Sequence, residues 1–272
     1  MSLQGKTVAF VGAGVMCEAM IKGLLQTHLT ADQIIASDPH AQRGEELKQR
    51  YGLRFTLDNG ACVKDADIVV LSVKPQVMDK VLPDIKTQLR DDVLIVSIAA
   101  GYRINKIAAG TGCQNIVRAM PNTPGQIGAG ITVWTATSSV NGDQRNWTND
   151  ILGAMGETLF VSEERFLDMA TALNGSGPSY VFLLMEALID AGVHMGFSRQ
   201  DSQKLVQQTV LGSVQYAIES GLHPAELRNQ VTSPGGTSAA ALYQLDKGGV
   251  RTVISKAVWA AYNRSVELGG DD

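Results

Sequence analysis

Apolar residues in the first half of the chain fall in short, continuous runs at 7–11, 33–37, 67–73, 93–98, 116–120, 131–135 and 158–161. Each run is too short for a globular helix and is apolar without alternation, the pattern of a strand buried on both faces. Helical patterns or turns lie between most of them. This alternation predicts a parallel sheet covered by helices on both faces, with the binding crevice at the C-terminal ends of the strands. From residue 163 onward the strand signals stop. Positions 178–195 predict a long apolar helix, in which Val181, Leu184, Met185, Leu188 and Ile189 form one wide stripe. Such a stripe suits burial within the chain or pairing with a second chain. Ser198-Arg199-Gln200-Asp201 is a helix start close to a capping box, and that helix should end at Gly221. Pro224 suits the first turn of another helix, and a last one is expected over 249–268. The chain thus reads as an α/β domain over 1–162 followed by an all-α domain over 163–272.

Composition narrows the function classes. Of 272 residues, 44% are hydrophobic and 18% charged, an ordinary soluble balance. A net charge of −4 gives no basic footprint for nucleic acid. No apolar run approaches the roughly 18 residues of a membrane span, so no membrane partner is expected. The first strand starts too near Met1 to leave room for a signal peptide, which predicts a cytoplasmic protein. Cys17, Cys62 and Cys113 are scattered and odd in number. They suggest a reducing compartment with neither disulfide framework nor zinc site. His28, His40, His194 and His223 show no metal-ligand spacing, and no metal is expected.

Two glycine motifs carry the chemistry. In Val8-Ala9-Phe10-Val11-Gly12-Ala13-Gly14-Val15-Met16-Cys17, an apolar strand runs into Gly-x-Gly and then a helix with Met16, Met20 and Leu24 at helical spacing. This is the dinucleotide fingerprint in its required context. Gly12 allows the tight turn, and Gly14 lets the backbone approach a pyrophosphate. Cys17 occupies the third glycine position. It reads as a small packing residue, with a first-turn thiol of lowered pKa as the alternative. The second motif is Val231-Thr232-Ser233-Pro234-Gly235-Gly236-Thr237-Ser238, leading into an Ala-rich helix. It reads either as an ordinary capped turn or as a site for a small anion at a helix N-terminus. Further residues cluster at predicted strand ends: Asp38, Ser72 to Gln76, Ala99 to Gly101, and Met120 to Gly125. Lys74 fits a solvated loop or a cation beside phosphate or substrate.

The motifs Phe10–Met16, Val73-Lys74-Pro75-Gln76, Arg118-Ala119-Met120-Pro121-Asn122-Thr123-Pro124, Asn174-Gly175-Ser176-Gly177-Pro178-Ser179-Tyr180 and Ser233-Pro234-Gly235-Gly236-Thr237 occur in that order. Together they resemble the pyrroline-5-carboxylate reductase family over essentially the whole chain. The resemblance implies a Rossmann-type doubly wound sheet followed by an all-α dimerisation domain. It implies an oxidoreductase of proline biosynthesis, reducing 1-pyrroline-5-carboxylate to L-proline with NADPH or NADH. It also implies an interlocked homodimer, stacked into larger rings in some members. Carried over by position, Gly12, Ala13, Gly14, Val15 and Met16 cradle the pyrophosphate. Lys74 and Pro75 flank the cofactor, with Val73 beside them, and Met120, Pro121 and Asn122 lie by the nicotinamide. Asp38 is a cofactor-binding candidate from its place at the second strand end rather than from the family. Ser233, Gly235, Gly236, Thr237 and Ser238 hold the substrate. Ser238, Thr237 and Lys74 are the candidate catalytic residues.

The chain departs from the family at three positions. Cys17 replaces the usual Ala or Gly. Asp38 stands where NADPH-using members often have a small or hydroxylic residue. Ser238 stands where the family often has the threonine proposed to touch the imine nitrogen. A carboxylate at position 38 favours ribose hydroxyls over a 2′-phosphate, although Arg43 could reach that phosphate. The expectation is that both cofactors work and NADH works unusually well. Two other readings fit parts of the sequence. A related hydroxyacid or imine dehydrogenase would want a positioned lysine and asparagine, for which Lys204 and Asn174 are candidates. A nucleotide-sensing regulator could keep the first glycine motif and lose the second, whereas this chain has both.

Overall fold

The structure, a computed structural model, describes residues 2–270. The chain forms two compact units, one comprising the residues up to Ser176 together with those from Ala261 on, the other Gly177–Ala260.

The first unit holds β1 (Val8–Val11), α1 (Val15–Thr27), β2 (Ile34–Ser37), α2 (Ala41–Tyr51), β3 (Arg54–Thr56), α3 (Asn59–Val63), β4 (Ile68–Leu71) and α4 (Met78–Lys86). It continues with β5 (Leu94–Ser97), α5 (Ile104–Thr111), β6 (Ile116–Met120), β7 (Gly130–Ala136), α6 (Gly142–Gly153), β8 (Gly156–Phe160) and α7 (Phe166–Ala170). The sheet order is β3-β2-β1-β4-β5-β6-β7-β8, so the chain winds outward in both directions from β1 and β4. Strand residues alternate between two cores. Val8, Phe10, Ile68, Val70, Leu94 and Val96 pack with Met20, Ile21 and Leu24 of α1 and Ile151 of α6. Ala9, Val11, Val69, Leu71 and Ile95 pack on the other face with Val63, Met78, Leu82 and Ile107. Continuous apolar strands are what a sheet covered on both faces requires.

Two features differ from the sequence expectation. The sheet is not wholly parallel: β7 runs antiparallel to β6, and β8 runs parallel to β7. Only residues 121–129, with the short turn Thr123–Ile127 among them, lie between β6 and β7. A parallel return needs a crossover of a dozen residues or more. The other feature is β3, a short edge strand that begins at the exposed Arg54.

All seven expected strands are otherwise in place: the runs at 7–11, 33–37, 67–73, 93–98, 116–120, 131–135 and 158–161 contain β1, β2, β4, β5, β6, β7 and β8 or overlap them. The unit continues past the last strand because Leu167 and Ala170 of α7 bury against Val133. A single π-helical turn, Thr171–Gly175, follows. Inside this unit lies an ionic cluster. Arg118 and Asp168 have side chains only 2% exposed. Asp168 accepts from Arg103 at 2.9 Å and from the Ser265 hydroxyl at 2.9 Å, and Arg118 pairs with Glu164 at 2.8 Å.

The second unit is helical: α8 (Gly177–His194), α9 (Arg199–Ser220), α10 (Pro224–Gln230), α11 (Thr237–Lys247) and the start of α12 (Val250–Gly269). Its punctuation follows the sequence. The Ser198 hydroxyl accepts the Asp201 N–H at 3.0 Å, Gly221 closes α9 in the left-handed conformation, and Pro224 opens α10. Helices α8 and α9 approach closely at Gly192, where a Cβ would lie 2.1 Å from the Ser202 hydroxyl oxygen.

Candidate active site

In the first unit, β1, β2, β4, β5 and β6 are parallel, so the segments after them emerge at one edge. Gly12–Met16, Asp38, Val73–Pro75 and Met120–Asn122 all lie at that edge. The order reverses between β1 and β4, the switch point at which doubly wound sheets bind ligands. There Gly12 has φ +94°, and a Cβ would meet the Val73 side chain at 2.7 Å. Both the backbone sign and the space demand glycine. The Ser72 hydroxyl donates to the Gly12 carbonyl at 2.6 Å and joins the two segments. Gly14 is the N-cap of α1; it offers no side-chain cap, and nothing lies within 4 Å of its would-be Cβ. A bare first turn with open space before it suits an anionic pyrophosphate.

Cys17 lies fully buried in the core beside this turn. Burial pushes its thiol far above the ordinary range, outweighing a hydrogen bond from Ser72. It packs the helix onto the sheet, and this burial opposes the lowered thiol pKa weighed from the sequence.

Asp38 follows β2, and its carboxylate turns back onto the glycine turn. Oδ2 accepts the Ala13 N–H at 3.0 Å; Oδ1 accepts the His40 N–H at 3.0 Å and lies 2.8 Å from His40 Nδ1. Burial would raise its pKa, but the N–H groups of Ala13 and His40 outweigh this and hold it below the usual carboxylate range. Arg43 reaches the same turn, its Nε donating to the Ala13 carbonyl at 2.7 Å. Its guanidinium is also paired with Glu18 and with Glu46. Glu18 accepts further from Arg50 and from the Tyr51 hydroxyl. Lys74 is exposed at the start of the turn after β4 and forms no ion pair among the described residues.

At the end of β6 an amide clamp holds Met120–Asn122 in place. The Asn122 carboxamide oxygen accepts the Ile131 N–H at 3.0 Å. Asn174, in the π-helical turn, donates to the carbonyls of Met120 and Ile131, both at 3.2 Å. Gly175 lies against Met120, whose Cε would be 2.5 Å from an added Cβ. Ser72, expected at this strand end, lies here as predicted, joined by Glu18 and Asn174, which the sequence pattern does not place at it. The only signal is their place in or beside the glycine motifs.

The other predicted residues lie in the second unit. Gly235 has φ +73°, and Gly236 is the extended N-cap of α11, again without a side-chain cap. The Gly236 N–H donates to the Ser233 carbonyl at 3.0 Å. A Cβ on Gly236 would sit 2.5 Å from the Ser233 hydroxyl oxygen. Thr237 and Ser238 form the first turn of α11, whose N–H groups have no intrahelical partner. Among the described residues no group of three or more His, Cys, Asp or Glu could hold a metal.

Residues 164–268 match the family described as pyrroline-5-carboxylate reductase dimerisation. Residues 7–101 match the family described as NADP oxidoreductase coenzyme F420-dependent. The chain is 41% identical to a pyrroline-5-carboxylate reductase of Pseudomonas aeruginosa over 262 residues, 96% of each chain. It resembles the structure of a pyrroline-5-carboxylate reductase from Coxiella burnetii with TM-score 0.91 and 36% identity, over 98% of this chain and 99% of that one. It also resembles a Plasmodium falciparum pyrroline carboxylate reductase structure with NADP bound, with TM-score 0.89 and 33% identity, over 98% and 99%.

Proposed function

This chain belongs to the pyrroline-5-carboxylate reductase family, and from that premise we propose how its residues divide the reaction. The protein is an oxidoreductase of proline biosynthesis that reduces 1-pyrroline-5-carboxylate to L-proline with NAD(P)H. One observation carries the assignment of residues. Helices α1 and α11 both begin on a glycine N-cap that has no side chain to close the first turn. The first suits a pyrophosphate and the second a substrate carboxylate.

Gly12, Ala13, Gly14, Val15 and Met16 bind the pyrophosphate; Asp38 binds at the adenosine ribose; Val73, Lys74 and Pro75 flank the dinucleotide. Met120, Pro121 and Asn122 orient the nicotinamide, held by Asn174. Bound NAD(P)H supplies the hydride to the imine carbon. Ser233, Gly235, Gly236, Thr237 and Ser238 hold the substrate, with backbone N–H groups on its carboxylate. A protonated cyclic imine is already electrophilic, so orientation rather than a strong side-chain acid is the main requirement. The Ser238 or Thr237 hydroxyl positions the ring nitrogen or relays its proton, and Lys74 contributes positive charge beside cofactor or substrate. The functional division falls at residue 162, which the start of the dimerisation match at 164 supports.

The chain forms an oligomer through its dimerisation region. We place the dimers in the cytoplasm and expect them to stack into a larger ring. No helix of the described residues is long and apolar enough to cross a membrane. The direct test follows NAD(P)H oxidation with 1-pyrroline-5-carboxylate and identifies L-proline as product. Absence of substrate-dependent oxidation by folded protein overturns the reading.

A further inference from the structure

We propose that the dinucleotide site reads the 2′-hydroxyl of the adenosine ribose and that this chain prefers NADH to NADPH, with Asp38 as the specificity-determining residue. The inference rests on the cofactor assignment above and goes beyond it, since a similar protein binds NADP in its solved structure.

The position comes first. Asp38 follows Ser37, which pairs with Val11 immediately before the glycine turn. Its carboxylate spans two segments, Oδ2 fixed on that turn by the Ala13 N–H and Oδ1 on His40 ahead of the helix that follows. Helix α2 is capped by His40, which makes no side-chain cap bond, so Asp38 is not that helix's N-cap. An ionised carboxylate is an acceptor with room for about four hydrogen bonds. Three are accounted for: Ala13 N–H on Oδ2, and His40 N–H and Nδ1 on Oδ1. The remaining capacity on Oδ2 suits a donor, and a ribose hydroxyl is one. A phosphate at the 2′ position brings negative charge and acceptors instead.

Next comes the absence of a compensating cation. An NADPH site in this fold commonly places an arginine on the 2′-phosphate. The arginine nearest in sequence, Arg43, is already engaged. It binds the Ala13 carbonyl and is neutralised by Glu18 and Glu46. Arg50 is drawn to Glu18 as well. The cluster therefore sets three carboxylates, Asp38, Glu18 and Glu46, against two guanidinium groups. A 2′-phosphate beside Asp38 would meet a carboxylate that neither Arg43 nor Arg50 is free to offset, and bringing Arg43 to it would break the arginine's bonds to the turn.

The test is binding, measured by calorimetry on the intact protein with NADH, NADPH and the fragments 5′-AMP and adenosine 2′,5′-bisphosphate. Wild type should bind NADH at least tenfold more tightly than NADPH, and the fragments should follow the same order. Asp38→Asn keeps an acceptor for Ala13 and removes the charge. It should shift the NADPH-to-NADH affinity ratio at least tenfold toward NADPH, and Asp38→Ser should shift it further. Glu18→Gln should release Arg43 and tighten NADPH several-fold with little change for NADH. Equal or tighter binding of NADPH by wild type overturns the proposal. So does an Asp38→Asn variant that weakens both nucleotides equally, the signature of a residue that only shapes the turn. If folded wild type binds neither nucleotide, the cofactor assignment itself fails.

Discussion

The two units use apolar residues in opposite ways. In the first, β1, β4 and β5 are buried along their whole length, and each sheet face closes under its own helices. In the second, α8 buries only Gly192, α9 only Ser202, and α11 nothing. Val181, Phe182, Leu184 and Leu188 of α8 are instead exposed, as are Leu205, Leu211 and Val214 of α9. An open groove of about 610 Å³ runs along α8 and α9, lined by Phe182, Leu183, Met185 and Ile189 among others. Patches of this kind mark interaction surfaces rather than finished exteriors. The same driving force thus completes a core within one chain in the first unit and requires a second chain in the other. Residues 164–268, which match a dimerisation family, include these exposed helices.

The largest effect should come from charging that surface. Leu184→Glu combined with Leu188→Glu places two carboxylates on the exposed stripe of α8. Each leucine buried by a partner contributes roughly 1.5–3 kcal/mol, and a buried unpaired charge is worse than losing that contribution. Light scattering should show loss of the dimer, with activity falling by at least ~100-fold in step with oligomer stability. A stable, active monomer at micromolar concentration, in wild type or variant, would break the contrast between the units.

The next effect tests the opposite oddity, charge inside the closed unit. Asp168 lies between Arg103 and Arg118 and accepts from Ser265 near the end of α12. Asp168→Ala leaves two guanidinium groups without their shared partner. Breaking a buried ion pair in this way costs about 3–5 kcal/mol. Chemical denaturation should show a drop of that order, with Asp168→Asn intermediate. A loss below ~1 kcal/mol would mean that the cluster is well solvated.

These charges mark the limit of what the chain discloses as a sequence. Strands whose residues are all apolar, such as Val8–Val11 and Ile68–Leu71, are legible because burial on both faces leaves no polar position. Helix ends at Ser198, Gly221 and Pro224 are legible because each residue type has a local backbone reason to be there. Arg54–Thr56 is not legible, since an edge strand tolerates an exposed arginine. The direction of β7 is also hidden, because an apolar run has no orientation. At the site the glycines are visible for their conformational role. Pairings across elements leave no local trace: Glu18 with Arg43, Asn174 with Met120, and Arg118 with Asp168 join residues 25, 54 and 50 positions apart. Arg118 sits in a strand and looks like an interruption until its partners are seen.

Smaller effects separate the two glycine N-caps. Gly236→Val should push against the Ser233 hydroxyl and block the α11 N-terminus. Substrate KM should rise at least tenfold or activity vanish, while nucleotide binding, measured by calorimetry, persists. Loss of nucleotide binding instead would show that the variant disturbs the protein generally. Ser238→Ala should lower kcat about tenfold, roughly 1.4 kcal/mol of transition-state stabilisation, and more than Thr237→Ala does. Equal and negligible effects would leave the ring nitrogen to water.

The smallest effect concerns pH and belongs to the closed unit alone. Burial would raise the pKa of Glu18, but hydrogen bonds from Arg43, Tyr51 and Arg50 reverse this and hold it below its ordinary 4.5. A carboxylate that binds protons more weakly when folded stabilises the native state above its unfolded pKa. That contribution is complete above about 4.5 and is lost as pH falls through the lowered folded value. Asp38 acts in the same direction from an ordinary 3.8. Glu18→Gln removes one of these contributions. It should lower stability by about 1 kcal/mol at neutral pH, because Arg50 is largely exposed and its pairing is screened. The gap between variant and wild type should stay constant above the ordinary glutamate value and shrink as pH drops below it. Denaturation midpoints must be compared at one protein concentration, because dimer dissociation also moves them. Light scattering should show the same oligomer for both proteins. Parallel curves down the whole acid range would mean that Glu18 is ordinary in both states and that its cluster does nothing to hold the glycine turn.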